Sequence, residues 1–188
     1  NAKALASNAS AVSVPGGAAL DLNGITMTGT NDLTLNGTGI SSGGALTNSS
    51  ATTGTYAGLA TLGSASSIIA GSGNILLTNT GTITGSGFGL TVGGAKDTTI
   101  AGIIDTGAGT LTKQDAGTLN LSGASTLSGA TTINGGTLAF SGVGATLASS
   151  AVTLNSTGNF TWAGSKGTGA AVTSTNGITL NGGRLCVA

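Results

Sequence analysis

The sequence predicts an all-β fold in which short strands stack as a β-solenoid of roughly eight or nine coils. Three observations carry that expectation. Glycine occurs 36 times in 188 residues, about 19% against a typical ~7%, and each glycine costs about 1 kcal/mol relative to alanine inside a helix. Aliphatic residues recur in short runs that alternate with Thr, Asn, Ser or Asp, the period-2 mark of a strand with one buried and one wet face. The fragment Asn134-Gly135-Gly136-Thr137-Leu138-Ala139-Phe140 returns as Asn181-Gly182-Gly183-Arg184-Leu185-Cys186-Val187, 47 residues on, a spacing of about two coils of 20–25 residues each.

Disorder is the competing reading of so much Gly, Ser, Thr and Asn. It needs low hydrophobicity and high net charge. Here Leu, Ile, Val and Phe make up about 22% of the chain, mean hydropathy is +0.36, and five basic residues balance five acidic ones. The same arithmetic removes several function classes. Without a basic excess, phosphate neutralisation and nucleic-acid binding are not expected. Histidine is absent, which removes the usual neutral-pH proton carrier and zinc ligand. No apolar run reaches the ~18 residues of a membrane-spanning helix, so membrane insertion of this segment is not expected. No cofactor motif is present.

Along the chain, residues 1–10 read as an N-terminal cap or joining segment, with Ala2, Ala4, Leu5 and Ala6 as its apolar side. Residues 11–188 read as the solenoid. Its strands begin at Ala19–Leu22 and Leu33–Asn36 and continue through Gly81–Thr84, Thr110–Lys113, Thr118–Leu121, Thr132–Asn134 and Gly177–Leu180. Gly, Asn-Gly or Ser-Gly bounds each run and suits turns that need positive φ. At about 4.8 Å per coil the rod is on the order of 40 Å long. Leu111, Leu119, Leu121, Ile133, Leu138, Leu180 and Leu185 are the expected core ladder, and Gly123, Gly129, Gly135, Gly136, Gly182 and Gly183 the turn glycines. Phe88, Phe140, Tyr56, Phe160 and Trp162 read as core fillers or stacking residues.

The stretch from Gly109 to Leu138 reads GTLTKQDAGTLNLSGASTLSGATTINGGTL. It closely resembles the passenger-associated transport repeat, also called the autotransporter-associated β-strand repeat, and departs from that pattern at Asp115, Ser125 and Leu127. The resemblance implies a single-stranded right-handed parallel β-helix, exported and displayed on a bacterial cell surface. It also implies membership among adhesins, self-associating matrix proteins and scaffolds. The translocator barrel of such proteins has no counterpart after residue 140, and no signal peptide is visible. The chain therefore reads as a mature product or a fragment.

Candidate chemistry is sparse. Asp97 and Asp105, with Lys96 and Lys113 near, resemble the carboxylate and base sets of polysaccharide-cleaving β-helices. The bland alternative is a solvated turn with surface ion pairs worth ~0–1 kcal/mol, and short turns leave no cleft, so the protein is expected not to be an enzyme. No Gly-Gly-x-Gly-x-Asp repeat is present for calcium. Thr-x-Thr pairs at Thr26/Thr28, Thr78/Thr80, Thr82/Thr84 and Thr110/Thr112 resemble the arrangement of ice-binding solenoids, but their spacing is irregular. Cys186, between inward Leu185 and Val187, is expected to face outward, where it is a candidate intermolecular contact. Open coil ends, zero net charge and few charged gatekeepers point to self-association, end to end or lateral, into a fibre, matrix or adhesive layer. The alternative is a binding module for a surface glycan, a host surface or ice.

Overall fold

The computed structural model describes residues 10–141, 144–162 and 171–187. Nine of the ten residues of the expected N-terminal cap lie outside them, and so do the side chains of Phe160 and Trp162.

The described chain is an all-β parallel solenoid of about seven turns, close to the expected number, and nearly without helix. Each coil contributes one short strand to each of three faces. The first face stacks Val12–Val14, Leu33–Gly37, the start of Ala60–Ile69, Thr82–Thr84, Ile103–Asp105, Ala124–Ser125, Thr146–Ser149 and Ala171–Ser174. The second stacks Leu20–Asp21, Leu46–Thr47, the end of Ala60–Ile69, Leu90–Gly93, Leu111–Lys113, the start of Thr131–Phe140, the start of Val152–Trp162 and Ile178–Asn181. The third runs from Thr26–Met27 through Gly54–Tyr56, Ile75–Leu77, Thr98–Ile100 and Thr118–Leu121 to the ends of the two long strands and Arg184–Val187.

Every strand pairing is parallel, so one coil's N–H groups donate to the next coil's carbonyls and the hydrogen bonds run along the rod. The step between paired residues is 19 at its shortest (Thr118 with Thr137) and 29 at its longest (Thr26 with Thr55). Steps of 25 and 26 recur at the last rung, and the longest, 26 to 29, fall in the first coils. There residues 37–44 leave the ladder through Gly37, Gly39, Ser41, Ser42 and Gly44, all at positive φ, and hold Ile40 in solvent at 64% exposure. The sequence echo is physical: Leu138, Phe160 and Leu185 share one column, as do Phe140, Trp162 and Val187, so Asn134–Phe140 and Asn181–Val187 lie two rungs apart.

The core is the set of inward positions, stacked like on like. On the second face, one row reads Leu46, Ile68, Val92, Lys113, Ile133, Leu154 and Leu180. On the third face, Met27, Tyr56, Leu77, Ile100, Leu121 and Phe140 follow one another, all buried. Each row shields the apolar side chains of the rung beneath, which is why coils too small to close a core alone are stable in a stack. Tyr56 is 1% exposed in its row, and its hydroxyl donates to the Asn31 carbonyl at 2.7 Å, which satisfies the polar atom that the ring carries inside.

Candidate functional site

Leu111, Leu119, Leu121, Ile133 and Leu138 are all buried. Leu180 and Leu185 occupy the same inward columns, beside Leu154 and Phe160, but are 52% and 41% exposed, and Ile178 beside Val152 is 42% exposed. The last described rung therefore presents an apolar face to solvent. Cys186 is half-buried on that rung, in the outward column above Ala139 and Thr161.

Among the six glycines expected in turns, Gly136 and Gly182 have positive φ, and the other four do not. Close approach explains these four better than backbone handedness. A Cβ on Gly129 would stand 2.0 Å from the carbonyl oxygen of Gly109, in the coil below. The glycine is needed because the corners of successive coils stack backbone on backbone.

The acid and base candidates do not converge. Asp97 is half-buried and its carboxylate accepts the Thr118 N–H at 2.8 Å, capping the next corner. Asp105 is exposed at the end of a first-face strand. Asp21 caps Asn23 and Ser49 in the same way and takes a very short hydrogen bond from the Ser49 hydroxyl. Partial burial raises the Asp21 carboxyl, but the Ser49 hydroxyl and the N–H groups of Ser49 and Asn23 outweigh it and hold the group below its ordinary value. The Asp97 and Asp21 carboxylates tie corners together, and Asp97 and Asp105 stand beside different faces of the rod.

Lys113 is the correction to a surface reading. The strand alternation puts Leu111 in, Thr112 out and Lys113 in, and the side chain is 1% exposed, between Val92 and Ile133. Its ammonium donates to the carbonyls of Gln114 at 2.5 Å, Asp115 at 3.0 Å and Gly135 at 3.2 Å, and so pins two successive corners from within. Burial pushes its pKa down to about 8, against the opposing pull of Asp115 and Asp97. Asp115 sits at φ +60, where the transport-repeat pattern has glycine. It holds that conformation by turning its carboxylate back to the Gly94 N–H at 2.8 Å.

Thr and Asn ladders line the outside, as the alternation of the strands leads one to expect, although the residues that stack are far apart along the chain. Single threonines from five successive rungs, Thr91, Thr112, Thr132, Thr153 and Thr179, form one outward column on the second face. The Thr-x-Thr pairs do not mark it, because its members are about 21 residues apart in the chain. Beside it, the Asn155 side-chain amide donates to Asn134 at 2.6 Å, and Asn181 donates to Asn155 at 3.3 Å, a short amide ladder at the corner. Among the described residues no group of three or more Cys, Asp or Glu is placed to hold a metal, and no helix is long and apolar enough to cross a membrane.

Residues 111–140 match the Passenger-associated-transport-repeat family. The matched stretch begins at the buried Leu111–Lys113 strand, takes in the Asp115 corner and ends at Phe140, so it spans about one and a half coils. Neither the curated proteins nor the solved structures give a match to the chain.

Proposed function

We propose that this chain is a non-enzymatic structural segment of an exported passenger, displayed at a bacterial cell surface, and that it joins with copies of itself into a fibre, matrix or adhesive layer. The observation that carries the reading is the last rung. Ile178, Leu180 and Leu185 stand in register with the buried ladder and meet solvent. Another parallel rung added there, from further chain or from a second copy, would bury them and continue the hydrogen bonding without changing geometry. Zero net charge removes the long-range repulsion that keeps such ends apart. The transport-repeat match supports export.

Static light scattering across a dilution series, followed by electron microscopy, tests the reading. Mass rising with concentration above the 17.5 kDa chain, with rods longer than one molecule, is the expected result. A 17.5 kDa monomer at every concentration refutes it. Cys186, half-buried on the same rung, is the one cysteine of the sequence, so a parallel head-to-tail joint leaves it unpaired, and a disulfide-linked dimer in non-reducing electrophoresis would mark a tail-to-tail joint instead. A second reading, a face that binds an external surface, rests on the five-rung threonine column, a flat array of hydroxyl and methyl groups at the rung spacing.

A further inference from the structure

A regular solenoid offers a ligand few concavities, because each coil covers the last. The corner above Lys113 departs from that rule. Gln114, Asp115 and Ala116 of one coil, Asn134, Gly135 and Gly136 of the next, and Thr157 of the third line an open cleft of about 650 Å³, within the ~300–1,000 Å³ of small-molecule sites. The cleft exists because Gly135 and Gly136 bring no side chains to the middle coil, while Asn134 and Thr157 stand at its edge.

Its floor is fixed in place. The buried Lys113 ammonium holds the carbonyls of Gln114, Asp115 and Gly135 from inside the rod. The Thr157 hydroxyl donates to the Asn134 carbonyl at 2.5 Å, and Asp115 is tied to the Gly94 N–H through one carboxylate oxygen, which leaves the other available. The cleft is thus pre-organised before any ligand arrives.

We infer that this corner cleft binds a short neutral saccharide. The lining offers one carboxylate, two carboxamides and a hydroxyl, a mixture of donors and acceptors that suits sugar hydroxyls. An anionic ligand meets the Asp115 charge. A hard cation needs six or more oxygens, and the floor carbonyls are engaged by the Lys113 ammonium, whose charge lies directly beneath. The Asp115 carboxylate and the Lys113 ammonium offset one another, so the cleft has no net charge with which to hold a phosphate, an acidic sugar or calcium. Among the described residues no aromatic ring lines the cleft, so single-site binding is weak, and several copies side by side on an assembled surface would supply avidity. The site does not depend on self-association, and failure of either leaves the other standing.

Saturation-transfer NMR, which reads the ligand and tolerates large assemblies, tests the inference on the full chain. The probes are cellotriose, chitotriose and trigalacturonate. Transfer to one or both neutral sugars and none to trigalacturonate is expected. In the double variant Gln114→Ala, Asn134→Ala the neutral-sugar affinity falls about tenfold, with circular dichroism and melting temperature unchanged. Ala116→Trp, at an exposed position on the rim, abolishes transfer by filling the cleft and serves where the double variant is unstable. Absence of transfer to both neutral sugars, equal transfer to the acidic one, or transfer that survives both variants overturns the assignment.

Discussion

Replacing Thr131 by valine is expected to stabilise the protein. Thr131 is 0% exposed and stands in an inward column between Leu111 and Val152. Its backbone N–H donates to the Ala151 carbonyl at 2.8 Å, so the main chain is satisfied. Its side-chain hydroxyl has no partner. A buried hydroxyl without a hydrogen bond costs ~1–3 kcal/mol in protein mutational data, and valine keeps the shape while replacing the hydroxyl by a methyl. The expected gain is about 1 kcal/mol or more. Thr98 repeats the situation on the third face, 1% exposed between Ile75 and Leu119 with its hydroxyl equally unpartnered. The pair of changes should add to about 2 kcal/mol, because the two sites lie on different faces. Urea unfolding followed by circular dichroism measures the shift in midpoint. Native-state hydrogen exchange at the 131–133 rung reads it locally, which matters in a repeat architecture whose coils need not unfold together. Thr132→Val, outward on the same strand, is the control and should change stability by less than ~0.5 kcal/mol. A Thr131→Val midpoint equal to or below the parent refutes the reasoning, since it would mean that the hydroxyl has a partner inside the rod.

Three further outcomes follow from other corners of the molecule. Burial lowers the Lys113 ammonium from 10.5 to about 8, so the folded state releases that proton before the unfolded chain does. Stability should rise between pH 8 and 10, by about 2 kcal/mol. Tyr56 works in the opposite sense above pH 10, because burial first and Asp32 second raise its phenol. Lys113→Met should flatten the rise, and an equal rise in that variant would rule out Lys113 as its source. Gly136→Ala places a Cβ 2.3 Å from the Gly117 carbonyl oxygen at a φ of +62, which should cost at least about 2 kcal/mol in urea unfolding. Leu180→Glu puts a charge on the open end rung and should lower the light-scattering mass without lowering the melting temperature.

Much of this fold can be read along the chain because its rule is local. Leu111-Thr112-Lys113 and Thr118-Leu119-Asn120-Leu121 alternate, glycines close them, and the next coil repeats the pattern about 21 residues later. The same alternation places Lys113 inward. Its charge argues for the surface, and the Gly135 carbonyl that completes its set of three comes from the next coil, 22 residues on, which no local window of sequence displays. The Thr91–Thr179 column is hidden for a related reason, since its members are neighbours across coils and strangers along the chain. Glycines such as Gly129 read as turn formers, but what they avoid is the backbone of the coil beneath. The early coils are harder to phase, because the excursion at 37–44 stretches their repeat to as many as 29 residues.

Hydrogen bonds that run along the rod also decide how it fails under force. Tension on one end of the chain loads only the outermost rung, whose three short ladders part before the next rung feels the pull. A stretched rod should then yield one coil at a time. Each loss would free about 21 residues, roughly 70 Å of slack at ~3.4 Å per residue, and the remaining coils would stay whole, so the molecule would behave as a tether that lengthens in steps while keeping its anchorage.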